Sequence, residues 1–182
     1  MTALASRKCQ GYSNVRILEL SFEDWSVERH GFHLVLSAQA FHWIEPEYGC
    51  SKAADALQAG GTFALVWHHD RSQDTVFYKA TQPIYDTYLP GEEKTGPGRS
   101  GLYEDALRRS AAFGEIHEIR HPWEEVYSAP DYLKLLNTFS DHRSLPEPAR
   151  KSFFRAISDV IDRIGGAVSR KYETQVLLAR RI

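Results

Sequence analysis

Phe32-His33-Leu34-Val35-Leu36-Ser37-Ala38-Gln39-Ala40-Phe41-His42-Trp43 is followed, after Pro46 and an alanine-rich stretch, by Leu57-Gln58-Ala59-Gly60-Gly61-Thr62-Phe63-Ala64-Leu65-Val66-Trp67. The pair reads as strand, polar and aromatic loop, helix, glycine stop, strand. Phe32 to Ser37 is apolar at nearly every position, the pattern of a parallel strand buried on both faces. Pro46 suits a first helical turn, Ala53, Ala54, Ala56 and Leu57 give the helix a small apolar face, and Gly60-Gly61 end it. Strand, crossover helix and strand in this order predict a parallel unit, half of a doubly wound α/β domain. Upstream of Phe32, nothing supplies the glycine-rich turn that usually opens such a domain.

Working outward, Ala3 to Gln10 reads as a helix end stopped by Gly11, and Asn14 to Leu20 as a strand. Beyond Trp67, a helix is predicted over Asp74 to Tyr88, a loop over Pro90 to Gly101, and a short helix over Leu102 to Ser110. Glu115 to Tyr127 reads as one extended segment. Ser128 with Asp131 resembles a capping box for a helix to about Phe139. Phe153, Phe154, Ile157, Val160, Ile161 and Ile164 recur at helical spacing within Glu147 to Ile164. Gly165-Gly166 close that helix, and Tyr172 to Ala179 is a final strand.

Bulk properties narrow the function. The 182 residues suit one domain with a real core. The net charge of -2, with no lysine or arginine block, disfavours nucleic acid or an anionic membrane as partner. No apolar run approaches the roughly 20 residues that span a bilayer, and the start lacks the apolar core of a signal peptide. Cys9 and Cys50 form neither a metal-type spacing nor a disulfide framework, so a reduced, cytoplasmic setting is expected.

Three segments carry candidate chemistry. In an open parallel sheet, ligands bind beyond the carboxyl ends of the strands, where Ser37 to Trp43 lies. There His42 could take a proton near neutral pH, and Phe41 and Trp43 could exclude water or simply cap the core. His68-His69-Asp70 follows another strand and contains metal-ligand types. Adjacent residues on an extended segment point to opposite sides, however, so no metal site is expected. Ser21-Phe22-Glu23-Asp24-Trp25 follows the Asn14 to Leu20 strand and reads either as a nucleoside-binding loop or as an acidic turn. Arg99 could clamp an anionic substrate. His142, in the helix linker Ser140-Asp141-His142-Arg143, is the other substrate-side candidate; such linkers are usually solvated or capping. Cys50 reads as inert packing.

Ser21 to Trp25, Ser37 to Trp43, Leu57-x-x-Gly60-Gly61 and Tyr172-Glu173-Thr174, in this order and spacing, resemble class I S-adenosylmethionine-dependent methyltransferases of the small-molecule type. The resemblance spans nearly the whole chain, including Gly98 to Tyr103 and Ser140 to Arg143. It implies a Rossmann-like α/β fold and S-adenosylmethionine as cofactor. Ser21 and Phe22 would contact the adenine; Ser37, Ala38 and Gln39 would meet the methionine end. His42 and Trp43 would face the transferred methyl and a small-molecule acceptor.

The same resemblance implies what is missing. Its first strand, its glycine-rich turn and its second strand, which ends in an acidic residue, have no counterpart here, so residues 1–182 form a single partial domain. Roughly 1–70 is the remaining cofactor-side part, and 71–182 is the substrate-side and C-terminal part. With a family sheet order of 3-2-1-4-5-7-6, the Asn14 to Leu20 strand is separated from the rest. Phe32 to Ser37 then becomes an open apolar edge, unless the Asn14 to Leu20 strand slides over to pair with it, a second copy fills the gap as a homodimer, or the protein starts upstream of Met1; truncation, through a misplaced start or a decayed gene, is the favoured expectation. The rival readings are a non-catalytic remnant that acts as a binding module and, more remotely, a metal-dependent hydrolase using His42, His68 and His69.

Overall fold

The computed structural model describes residues 2–90 and 100–182. Helix α1 spans Thr2–Cys9, and the chain then runs without regular structure to strand β1, Phe32–Ala38. A single 3-10 turn, Phe41–Trp43, leads to α2, Pro46–Ala56, and β2, Leu57–Asp70. Helices α3, Val76–Tyr88, and α4, Ser100–Arg109, precede β3, Phe113–Ser128. Helices α5, Ala129–Leu136, α6, Ser140–Ser144, and α7, Glu147–Arg163, lead to β4, Ala167–Arg181.

The four strands form one sheet of order β1-β2-β4-β3. β1 and β2 are parallel, with Leu34 opposite Thr62 and Ala38 opposite Val66. β4 runs antiparallel to both of its neighbours. This is the arrangement that the resemblance implies for its last four strands. The Rossmann-like α/β class therefore holds, and both halves of the chain contribute strands to the one sheet.

Local chemistry sets most boundaries. The Glu45 carboxylate caps α2, accepting from the N–H groups of Glu47 at 3.2 Å and Tyr48 at 2.6 Å, and Pro46 occupies the first turn. Ser128 caps α5 by accepting from the Asp131 N–H at 3.3 Å. The α5 helix stops at Leu136, short of the predicted Phe139, and α6 follows as a separate turn. At the end of α7, the Gly166 N–H reaches back to Ile161 O at 2.9 Å, and φ values of 113° and 81° at Gly165 and Gly166 require glycine.

Three expectations need correction. Gly60-Gly61 do not end α2. Leu57 already adopts extended backbone to lie opposite Phe32, and the glycines form an irregularity inside β2, where Gly60 has φ 76°. The expected Asn14 to Leu20 strand pairs with no strand among the described residues; these residues are exposed and unladdered, because a strand needs a neighbouring edge to satisfy its backbone. Finally, β1 is not buried on both faces. Val35 packs against the core, whereas Leu34 and Leu36, together on the opposite face, are 54% and 58% exposed. β1 is an edge strand, and among the described residues no layer covers that face.

Two hydrophobic clusters hold the layers together. Helices α2 and α4 pack against the side of the sheet that presents Phe63, Leu65, Trp67 and Leu177. Helices α3, α5 and α7 build the second cluster from Phe77, Tyr132, Leu136, Phe153 and Ile157, around the Val168 end of β4. Each such side chain, fully buried, contributes about 1.5–3 kcal/mol. The first cluster matters most for function because it anchors the turn that follows β1.

Candidate functional site

The carboxyl end of β1 is fastened to β2 by one strained residue. Gln39 has φ 52°, the left-handed region that a non-glycine residue occupies only when its surroundings enforce it. Its N–H donates to Val66 O at 2.9 Å, and its side-chain amide donates to His68 O at 3.4 Å. The backbone therefore turns sharply over the end of β2 before entering Phe41–Trp43.

That turn is nailed down by Phe41. Its ring is 3% exposed and lies edge-on to Phe63 at 5.2 Å and to Tyr103 at 5.3 Å. Beneath it, α2 carries Gly49, where a Cβ would fall 2.5 Å from Phe41 Cζ and 2.8 Å from Ile44 Cγ2. Only the absence of a side chain at Gly49 lets the ring sit so low. The neighbouring residues are then displayed outward: Trp43 is 78% exposed, and the half-buried His42 ring lies 5.0 Å from that of Trp43.

The second candidate loop meets the first through its aromatic residues. Phe22 is half-buried, 6.5 Å edge-on from Phe41 and 6.1 Å from Trp25, and Trp25 in turn lies 5.6 Å from Phe32. Lys52 on α2 holds this loop from below, donating to Glu23 O at 2.8 Å with its ammonium 5.4 Å from the Phe22 ring centre. The Ser21 hydroxyl is engaged locally: it donates to Asp24 Oδ2 at 2.8 Å and accepts from the Asp24 N–H at 3.0 Å. Ser37 and Ala38 thus end β1, Gln39, His42 and Trp43 follow it, and the Ser21–Trp25 loop adjoins this turn through the contact of Phe22 with Phe41.

The substrate-side candidates lie elsewhere. Arg99 falls outside the described residues. His142 is neither solvated nor part of a cap: it is 3% exposed in the second core cluster, beside Tyr85 and Phe153. One ring nitrogen, Nε2, lies 3.1 Å from the Tyr85 hydroxyl, and the other, Nδ1, lies 2.8 Å from Asp141 Oδ1. The tautomer with Nδ1–H donating to Asp141 and Nε2 accepting from Tyr85 satisfies all three groups. Burial pushes the Tyr85 hydroxyl pKa well above its ordinary value, so it stays a donor.

The His68-His69-Asp70 segment splits across the sheet. His68 Nδ1 lies 2.8 Å from Thr174 Oγ1, and His69 Nε2 lies 2.8 Å from Gln175 Oε1. Thr174 and Gln175 are consecutive on β4 and face opposite sides. Among the described residues, no group of three His, Cys, Asp or Glu side chains is placed to hold a metal ion. Asp70 instead accepts from Arg170, whose guanidinium also donates to the Tyr132 hydroxyl at 2.5 Å and lies over the rings of Phe77 and Tyr132. This half-buried pair carried no signal in the sequence, because its members stand far apart in the chain and are joined only by the antiparallel register of β2 and β4.

No protein-family model matches the chain. An uncharacterized methyltransferase of Schizosaccharomyces pombe is 24% identical over 149 residues, which is 81% of this chain and 54% of that protein. An uncharacterized methyltransferase-like protein of the same yeast is 24% identical over 143 residues, 79% of this chain and 52% of that protein. The chain thus spans about half the length of the curated relatives it matches. Among solved structures, the YcgJ protein of Bacillus subtilis superimposes with a TM-score of 0.58 at 16% identity, covering 100% of this chain and 78% of that one. A candidate methyltransferase from Bacillus halodurans does so with a TM-score of 0.54 at 16% identity, covering 98% and 78%. The resemblance to class I methyltransferases is carried by sequence similarity to the yeast proteins and by fold similarity to the bacterial ones.

Proposed function

We propose that this chain is the acceptor-side part of an S-adenosylmethionine-dependent methyltransferase acting on a small molecule, and that the complete cofactor site belongs to a longer parent protein. The observation that carries this reading is the meeting of two loops, through Phe22 and Phe41, at the carboxyl end of a parallel strand pair. Ligands of open α/β sheets bind at that end.

The residues present fit the cofactor in part. Phe22 offers an aromatic surface for the base, and the Ser37–Gln39 backbone, held by the Gln39 turn, offers donors and acceptors to the methionine end. The chain ahead of β1 provides no glycine-rich turn. When bound, the cofactor supplies a methyl group activated on a sulfonium sulfur. Trp43 then excludes water from the acceptor, and His42 receives the proton that a hydroxyl or acid acceptor gives up. Holding the acceptor in line is the main contribution expected of such a site.

The contacts supplied by the missing elements are charge-assisted hydrogen bonds, worth roughly 1.5–3 kcal/mol each, so this chain alone should bind the cofactor very weakly. Calorimetric titration of S-adenosylmethionine into the folded chain is expected to show no micromolar binding, and a micromolar affinity would contradict the partial-site reading. Amide chemical-shift mapping at high cofactor concentration should move resonances of Ser21, Phe22 and Ser37 to Trp43. Shifts confined to other parts of the chain would overturn the methyltransferase assignment. In the active longer parent, His42→Ala leaving turnover intact would remove His42 as the base.

The exposed β1 edge, with Leu34 and Leu36 uncovered, favours a second reading, in which the chain is a non-catalytic remnant that acts as a dimerisation module.

A further inference from the structure

The carboxyl end of β2 carries a second histidine beside the candidate loop. The carbonyl of His68 accepts the Gln39 side-chain amide at 3.4 Å, which ties this residue to the turn after β1. Its ring is held from the side. Thr174, its direct partner on β4, places Oγ1 2.8 Å from His68 Nδ1. The Trp123 indole, diagonal to Thr174 on the same face of β3, donates Nε1–H to that same oxygen at 3.0 Å. Trp123 is fixed in turn by stacking on Tyr172 at 4.5 Å, and the His68 ring stands edge-on to it at 5.8 Å. These contacts join β2, β4 and β3 and involve no residue ahead of β1.

The chain of contacts orders the protons. An indole N–H only donates, so Thr174 Oγ1 accepts from Trp123. His68 Nδ1 is the other partner of the Thr174 hydroxyl among the described residues, so the threonine proton goes to Nδ1. The opposite tautomer, with Nδ1–H donating to Thr174, would leave that proton without an acceptor. Nδ1 therefore accepts, and the neutral ring carries its own proton on Nε2. We propose that the Trp123–Thr174–His68 chain makes His68 the hydrogen-bond donor that holds an oxygen of the methyl acceptor beside the Gln39 turn, with Trp123 and Thr174 as positioning residues. The proposal rests on the methyltransferase reading and on the position of His68 at the ligand-binding end of the sheet. It narrows the acceptor to small molecules with a carbonyl, carboxylate or hydroxyl oxygen near the methylated atom, because a built donor rejects an analogue that leaves it unpaired. With Nδ1 occupied and Nε2 protonated, His68 cannot receive the acceptor's proton. The two histidines thus divide the work: His42 takes the proton and His68 orients.

Proton–nitrogen correlation spectra of the histidine rings in the isotopically labelled chain, at neutral pH, test this in two steps. Without cofactor, His68 is expected as a single Nε2–H tautomer with a hydrogen-bonded Nδ1. Thr174→Val should move the His68 ring signals towards those of the exposed His117, whereas Thr174→Ser, which keeps the hydroxyl, should leave them in place. An Nδ1–H tautomer at His68, or ring signals unmoved by Thr174→Val, overturns the proton ordering and with it the proposal. In the second step S-adenosylmethionine is added at high concentration. The His68 ring signals should then move together with the amides of Ser37 to Trp43, while those of His117 hold. Movement of Ser37 to Trp43 without His68 overturns the placement of His68 at the acceptor and leaves the methyltransferase reading standing. Movement of neither defeats that reading and the acceptor role of His68 together, even with the tautomer as expected, so the two failures are distinguishable.

Discussion

Gly49→Ala sets two effects of opposite sign against each other at the anchor of the candidate site. Gly49 lies inside α2, where alanine is favoured over glycine by about 0.8–1 kcal/mol. The new methyl, however, would fall 2.5 Å from Phe41 Cζ, 3.0 Å from Phe41 Cε2 and 2.8 Å from Ile44 Cγ2. The Phe41 ring cannot swing away freely, because Phe63 and Tyr103 hold it from other sides at 5.2 and 5.3 Å. Forcing a methyl into a packed site of this kind costs about 1–3 kcal/mol. The net expectation is a destabilisation of about 1 kcal/mol, or a fall in Tm of roughly 2–4 °C for a chain of this size.

Denaturant unfolding followed by far-ultraviolet circular dichroism gives the free energy, and Trp43 fluorescence should report the displaced turn. In the Phe41→Leu background, the smaller side chain relieves the contact, so the same Gly49→Ala change should be neutral or stabilising there. If Gly49→Ala raises stability by the full propensity difference in the unmodified chain, Phe41 does not sit over Gly49, and the account of the turn is wrong.

Two other consequences can be measured on the same protein. The Glu173 carboxyl is held below its ordinary range, first by the hydrogen bond from Arg71 at 2.6 Å and also by Arg120 at 2.9 Å. A carboxyl with a depressed folded pKa stabilises the fold above its unfolded value of about 4.3, and that contribution disappears as pH falls through the folded value. Glu173→Gln should therefore lower Tm at pH 7, by an amount corresponding to about 1 kcal/mol or less, and the gap should close on acidification; a gap that widens in acid would refute the assignment. Burial, with smaller contributions from the carboxylates of Glu47 and Glu45, pushes the Cys50 thiol up to about 12. A thiol-specific disulfide reagent at neutral pH should label only Cys9 in the native chain and reach Cys50 only on unfolding. Equal rapid labelling of both cysteines would show that Cys50 is not enclosed.

Most elements were legible because their signals are local. The capping pattern at Ser128, the helical spacing from Phe153 to Ile161 and the glycine pair after α7 each act over a few residues, and each produced the element expected. The aromatic loop after β1 was equally legible, since Gln39, His42 and Trp43 are not core residues. Gly60-Gly61 misled because glycine signals a break without saying which element it breaks; the pairing of Leu57 with Phe32 decided that the helix was already over.

The sequence by itself determined the α/β class, the parallel unit, the position of the candidate loop and, through the resemblance, the order of the four strands. Tertiary structure alone decided which faces are covered. It left Asn14 to Leu20 unpaired and one face of β1 open, enclosed His142 between Tyr85 and Phe153, and brought Arg170 to Asp70. The physical reason is that periodicity and capping are written in neighbouring residues. Burial and pairing depend instead on which layer lies against a side chain and on a register that joins residues distant in the chain.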